Sequence, residues 1–165
     1  MDKRIDVLAT AIRAGMKATE LKDLELAYAP PHSSAKDPVN MAGFMADNIA
    51  RGLLRQWHLA DADSLPRDGS VTLLDTRTPG EYGAGHIDGF VNIPVDDLRE
   101  RLHELDRTKP VYVICQSGLR SYIACRILAG HGFDCYNFSG GYRFYAAVTQ
   151  ERCLAQSALA CGMDA

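Results

Sequence analysis

Residues 111 to 120 read Val111-Tyr-Val-Ile-Cys115-Gln-Ser-Gly-Leu-Arg120. Four strand-forming residues lead into a cysteine, a Gly-containing loop, and a helical pattern from Leu119 to Gly130. A strand that turns straight into a helix is the unit of a parallel α/β sheet, and ligands gather at the carboxyl edge of such sheets. In this reading the amides of Gln116, Ser117, Gly118 and Leu119 lack strand or helix partners. They can turn around the sulfur as an anion-binding nest at a helix N-terminus. That setting favours thiolate over thiol and makes Cys115 a nucleophile, and it would equally hold a persulfide anion. Gly118 permits a backbone angle that larger residues resist. Arg120 adds a fixed charge on a planar fork suited to thiosulfonate or carboxylate oxygens.

Outward from this loop the same architecture repeats. Val71 to Asp75, Phe90 to Ile93 and Cys135 to Phe138 are further short apolar runs bounded by Gly, Pro or Asp, as buried parallel strands are. Helical patterns stand between and after them, from Asp96 to Leu105 and from Gly141 to about Val148. Alternating strands and helices predict an open α/β parallel sheet with helices on both faces. Residues 1 to 52 differ. Ile5, Leu8, Ala9 and Ile12 fall at helical spacing over 3 to 14, with Gly15 as a stop. A second helix is predicted over 38 to 51, with Asp37 as N-cap and Pro38 in the first helical position. The predicted organisation is a helical extension at 1–52, a sheet domain at 53–150 and a tail at 151–165.

Composition narrows the partners. The 165 residues are 47% hydrophobic and 24% charged, with a net charge of −3. A slight negative charge gives no case for nucleic acid or an anionic membrane surface. No apolar run approaches the roughly 20 residues that span a bilayer. The opening stretch, MDKRIDVLATAIRAGM, has no signal-peptide core, so the expected address is cytoplasmic. Cysteines stand at 115, 125, 135, 153 and 161. An odd number with no Cys-x-x-Cys pair argues against a disulfide framework or a zinc site, and no metal is expected. Cys125 and Cys135 lie within a helix and a strand pattern and read as core packing. Cys153 and Cys161 read as unremarkable tail thiols, with a persulfide relay as the alternative.

The loop does not stand alone. Leu74-Asp75-Thr76-Arg77, Glu81-Tyr82, Gly85-His86-Ile87-Asp88-Gly89, Asn92-Ile93-Pro94 and Ser139-Gly140-Gly141-Tyr142 occur around it in order. Over roughly residues 60 to 148 the chain thereby resembles the rhodanese family. The resemblance implies a double displacement: Cys115 takes sulfane sulfur from a small donor, holds it as a persulfide, and passes it to a thiophilic acceptor such as a thiol. Asp75 and Arg77 could form a surface ion pair; the resemblance implies instead that they brace the active loop, and that role is preferred over direct chemistry. His86 suits backbone hydrogen bonding better than general-base work, since transfer between soft sulfurs needs little base catalysis. Ser117 is left between donating to the persulfide and capping the following helix. Two other classes compete with the enzyme. A carrier or interaction module would use the same surface without turnover, but Cys115 and Arg120 are both present. A thiol phosphatase or arsenate reductase resembles this fold too, but phosphatase loops are Cys-x5-Arg, and here four residues separate Cys115 from Arg120.

A second resemblance covers residues 2 to 50. They are similar to the end of the dimerisation domain of flavin-dependent reductases of the coenzyme A-disulfide and NADH-dependent persulfide or polysulfide type, some of which carry a C-terminal rhodanese domain. The chain is therefore expected to be the C-terminal part of such a reductase and to form a homodimer through residues 1 to 52. It has no Gly-x-Gly-x-x-Gly after a strand, so FAD and NADH would belong to a reductase portion and not to this chain. Tyr28 stands where that family places a tyrosine facing the partner subunit's disulfide site.

Overall fold

The computed structural model describes residues 2–29, 31 and 36–160. The chain divides into two units, Met1–Leu53 and Leu54–Ala165.

In the first unit the helix α1 spans Asp2–Arg13 and α2 spans Pro38–Ala50, with a 3-10 helix at Ala18–Asp23 between them. Gly15 ends the first helical stretch at φ +72°, a left-handed angle. Asp37 caps α2 by accepting from the Val39 amide at 2.9 Å, and Arg4 reaches its other oxygen at 3.0 Å. The backbone hydrogen bond comes first among the causes that hold this carboxyl below its ordinary pKa. Gly43 brings α2 onto the 3-10 helix, because a Cβ there would stand 2.2 Å from the Lys22 nitrogen. Asn40 completes the junction by donating to the carbonyls of Leu21 and Leu24 at 3.0 and 2.9 Å. Ile5, Ile12, Met41, Met45 and Ile49 remain exposed, and the Tyr28 hydroxyl is buried with no hydrogen-bond partner.

The second unit is a five-stranded sheet in the order β1-β5-β4-β2-β3, parallel throughout. The strands are β1 Gln56–Trp57, β2 Thr72–Asp75, β3 Val91–Asn92, β4 Val111–Ile114 and β5 Cys135–Phe138. The pleat sends neighbouring side chains to opposite faces. Leu74, Val111, Val113 and Cys135 thus join one core, with Ala124, Cys125 and Leu128 of α4, Leu119–Gly130. Leu73, Ile114 and Phe138 join the other with Trp57 and Phe90, against which Tyr142 and Tyr145 of α5, Gly141–Ala160, pack. The expected open parallel sheet with helices on both faces is the observed one. No helix among the described residues is long and apolar enough to cross a membrane.

Three local expectations are corrected. No helix forms from Asp96 to Leu105: the segment runs as turns, with a 3-10 helix only at Leu102–Glu104. Most of its bonds close over three residues, as from Asp97 to the Pro94 carbonyl and from Glu104 to that of Arg101. Sinking Leu98 completely into the core outweighs the weak helix propensity of a stretch with two aspartates. The last helix, predicted from Gly141 to about Val148, continues to Ala160. Finally, β1 and a short helix α3, Pro79–Gly83, were not anticipated. Cys161 lies outside the described residues.

Candidate active site

Cys115 follows β4 directly and is wholly buried. Its sulfur receives two hydrogen bonds, from the Gly118 amide at 3.1 Å and from the Ser121 hydroxyl at 3.2 Å. Of the four loop amides, Gly118's is the one that meets the sulfur. It can do so because Gly118 turns left-handed at φ +106° and serves as N-cap of α4 without any side-chain cap. Two donors facing one sulfur suit an atom that carries negative charge.

The start of α5 clamps this loop from the far side. The amides of Tyr142 and Arg143 donate to the carbonyls of Cys115 and Gln116 at 2.7 and 3.2 Å. Gly141, at φ +72°, makes the approach possible: a Cβ there would stand 2.5 Å from the Gln116 oxygen. Below the loop, Asn137 of β5 reaches the Gly118 carbonyl at 3.5 Å, and its own carbonyl oxygen is buried without a partner.

Arg77 and Asp75 form a buried ion pair, with Arg77 Nη2 2.7 Å from Asp75 Oδ2 and Nε at 3.0 Å from the same oxygen. Arg77 Nη2 also donates to the Gly85 carbonyl at 2.8 Å, and Nη1 lies 3.4 Å from Gln116 Oε1. Its guanidinium carbon stands 3.9 Å over the Tyr142 ring. Arg77 thus ties the end of β2 to the Cys115 loop and to α5, and touches Gln116 rather than the sulfur. Asn92 fixes the same strand end by donating to the carbonyls of Asp75 and Arg77.

Arg120 stands on the first turn of α4 and is engaged by Glu81 of α3. Each terminal nitrogen meets one carboxylate oxygen at 2.7 Å. Glu81 also accepts from the Thr78 amide and hydroxyl, so one residue caps α3 and grips Arg120. The Arg120 guanidinium, and then the Thr78 amide, hold the Glu81 carboxyl down at about 2, while Glu81 raises Arg120.

The remaining sequence candidates fall into place around this centre. Ser117 is exposed and does not cap α4, the N-cap being Gly118; Leu119 points to solvent. His86 stacks on Tyr82 and sets Nδ1 3.2 Å from its carbonyl. Cys125 and Cys135 are core residues; Cys135 donates to the Cys125 carbonyl at 3.3 Å, and hydrogen bonding to Cys135, with burial, pushes the Cys125 thiol up. Cys153 is exposed on α5. Among the described residues no group of three or more His, Cys, Asp or Glu could hold a metal ion. Ser121 was missed, although it left a signal. With Ala124, Cys125 and Leu128 it forms the buried stripe of α4, and a serine on such a stripe needs a polar partner.

A buried strand-end cysteine at the head of a glycine loop, on a five-stranded parallel sheet with helices on both faces, is the arrangement of a rhodanese-like fold. The chain belongs to the family of the rhodanese-like domain, whose pattern it matches over residues 58–147. The thiosulfate sulfurtransferase GlpE of Shewanella oneidensis is 34% identical over 74 residues, 44% of this chain and 73% of that protein.

Two solved structures extend the likeness beyond this domain. The reduced CoADR-RHD of Bacillus anthracis is 46% identical over 92% of this chain, with a TM-score of 0.85. The NAD-dependent persulfide reductase of A. fulgidus is 41% identical over 87%, with a TM-score of 0.74. Such coverage takes in the helical unit as well, in agreement with the reductase resemblance of residues 2 to 50. The chain spans only 27% and 26% of those two proteins. It also spans about half of two Bacillus subtilis relatives, 57% and 45% of their lengths.

Proposed function

We propose that this chain moves sulfane sulfur through a persulfide on Cys115. The observation that carries the reading is the pair of donors, Gly118 and Ser121, on a buried sulfur at the end of β4. The Cys115 thiolate attacks the sulfane sulfur of a thiosulfate, polysulfide or persulfide donor, and the donor's remainder leaves with the electron pair. An acceptor thiolate or cyanide then attacks the outer sulfur and releases the Cys115 thiolate. Gly118 and Ser121 face the charge on the Cys115 sulfur when it attacks the donor and again when it leaves the acceptor, and the α5 amides hold the loop that aims them. The test is thiosulfate-to-cyanide transfer. Cys115→Ser is expected to abolish it and Cys125→Ser to leave most of it; equal loss from both would overturn the assignment.

In the same proposal the chain works as the C-terminal part of a coenzyme A-disulfide or persulfide reductase, in the cytoplasm. Flavin and nicotinamide would be bound outside it. Two copies pair through residues 1–52, which the exposed Ile5, Ile12, Met41, Met45 and Ile49 support. Light scattering at about twice the chain mass is the expected result, and a monomer at high concentration would refute the pairing.

A further inference from the structure

Arg120 is the charge that the loop offers to an arriving anion, yet the face of its guanidinium that a sulfonate would take is already filled. Both terminal nitrogens are bound by the two Glu81 oxygens at 2.7 Å each. The pair is about one-third exposed, so it can be reached from solvent rather than being sealed in the core. Arg77 offers no substitute, because it is buried and committed to Asp75, Gly85 and Gln116. A donor with a charged group beside its sulfane sulfur therefore meets a neutralised pair and must displace a carboxylate held by geometry and by charge.

We propose that Glu81 is a specificity-determining residue: its carboxylate occupies the Arg120 fork and biases the site against donors such as thiosulfate, in favour of persulfides with no charged group next to their sulfurs. The proposal rests on the sulfurtransferase reading above. Both half-reactions balance in the same way. Cys115 thiolate attacks the outer sulfur of thiosulfate and sulfite leaves with the bonding pair, or it attacks the terminal sulfur of 2-hydroxyethyl persulfide and 2-mercaptoethanol thiolate leaves.

The test compares these two donors in the full chain with Glu81→Gln and Glu81→Asp. Glutamine keeps an oxygen for the Thr78 cap, so α3 is retained; that oxygen can still accept from one Arg120 nitrogen, but the amide nitrogen cannot accept from the other and the negative charge is gone. Unmasking one unit of charge on this partly exposed fork is worth about tenfold. Glu81→Gln is expected to raise kcat/KM for thiosulfate by about that factor, through KM, and to leave 2-hydroxyethyl persulfide within about twofold. The gain should shrink in high salt, as a purely structural effect would not. Glu81→Asp, which keeps the charge, should hold the ratio of the two donors near that of the unaltered chain. An unchanged ratio in Glu81→Gln, or the same shift in Glu81→Asp, overturns the proposal while persulfide still forms on Cys115. Failure of both donors to load Cys115 in the unaltered chain removes the sulfurtransferase reading itself, and this inference with it.

Discussion

The Ser121 hydroxyl stands 3.2 Å from the Cys115 sulfur and 3.2 Å from the Gly118 carbonyl, with one proton to give. A charged sulfur is the stronger acceptor, so the proton turns to Cys115 when the sulfur is a thiolate. Removing it with Ser121→Ala forfeits a hydrogen bond to a charged group, about 1.5–3 kcal/mol, or at least about tenfold in rate. Sulfur transfer is expected to fall by that factor with either donor, and Cys115 alkylation by iodoacetamide should slow in step. Unchanged alkylation would mean that Ser121 only packs.

Arg77 presents a different kind of dependence. Arg77→Met would leave Asp75 charged and wholly buried, which costs about 3–5 kcal/mol. Urea unfolding should show a loss of that size. The double variant with Asp75→Asn should be less destabilised than the two single losses added together. Additive losses would show that the two side chains act separately.

Close approach makes Gly141 irreplaceable. Alanine there would bring Cβ to 2.5 Å from the Gln116 oxygen at a left-handed angle, whereas a Cβ on Gly130 meets nothing within 4 Å. Gly141→Ala should lower both stability and sulfur transfer, and Gly130→Ala should alter neither much. Equal behaviour of the two in melting and activity assays would contradict the clamp.

Acid should weaken the second unit through Glu81. Its carboxyl is lowered from 4.5 to about 2 in the folded chain, first by Arg120 and then by the Thr78 amide. A depressed carboxyl contributes stability above its unfolded value, here 4.5, and loses it as pH falls toward 2. Glu81→Gln should therefore flatten the stability curve between those values. A carboxyl titration by NMR should find Glu81 still ionised at a pH where ordinary glutamates are protonated. A midpoint near 4.5 would argue against the ion pair.

Local signals in the chain were the readable ones. Val111 to Ile114, the glycine loop and the stripe of α4 declare themselves within twenty residues, and so do the Asp37 cap and Pro38 of α2. What escaped depends on distant partners. β1 is two residues long and exists because Gln56 and Trp57 pair with Asn137 and Phe138. The stretch from Asp96 to Leu105 has helical spacing, but its path is set by where Leu98 must enter the core. In the site, Cys115 and its loop were legible, and so was a link between Arg77 and that loop. The grip of Glu81 on Arg120 was not, since the two are 39 residues apart and meet only through the packing of α3 beside α4.

The central claim is that Cys115 carries the sulfur, and peptide-resolved mass spectrometry of the full chain after thiosulfate tests it most directly. The peptide containing Cys115 should gain the mass of one sulfur atom and lose it again on adding cyanide or dithiothreitol. A gain found mainly on Cys153 or Cys161, or absent from every cysteine, would contradict the account.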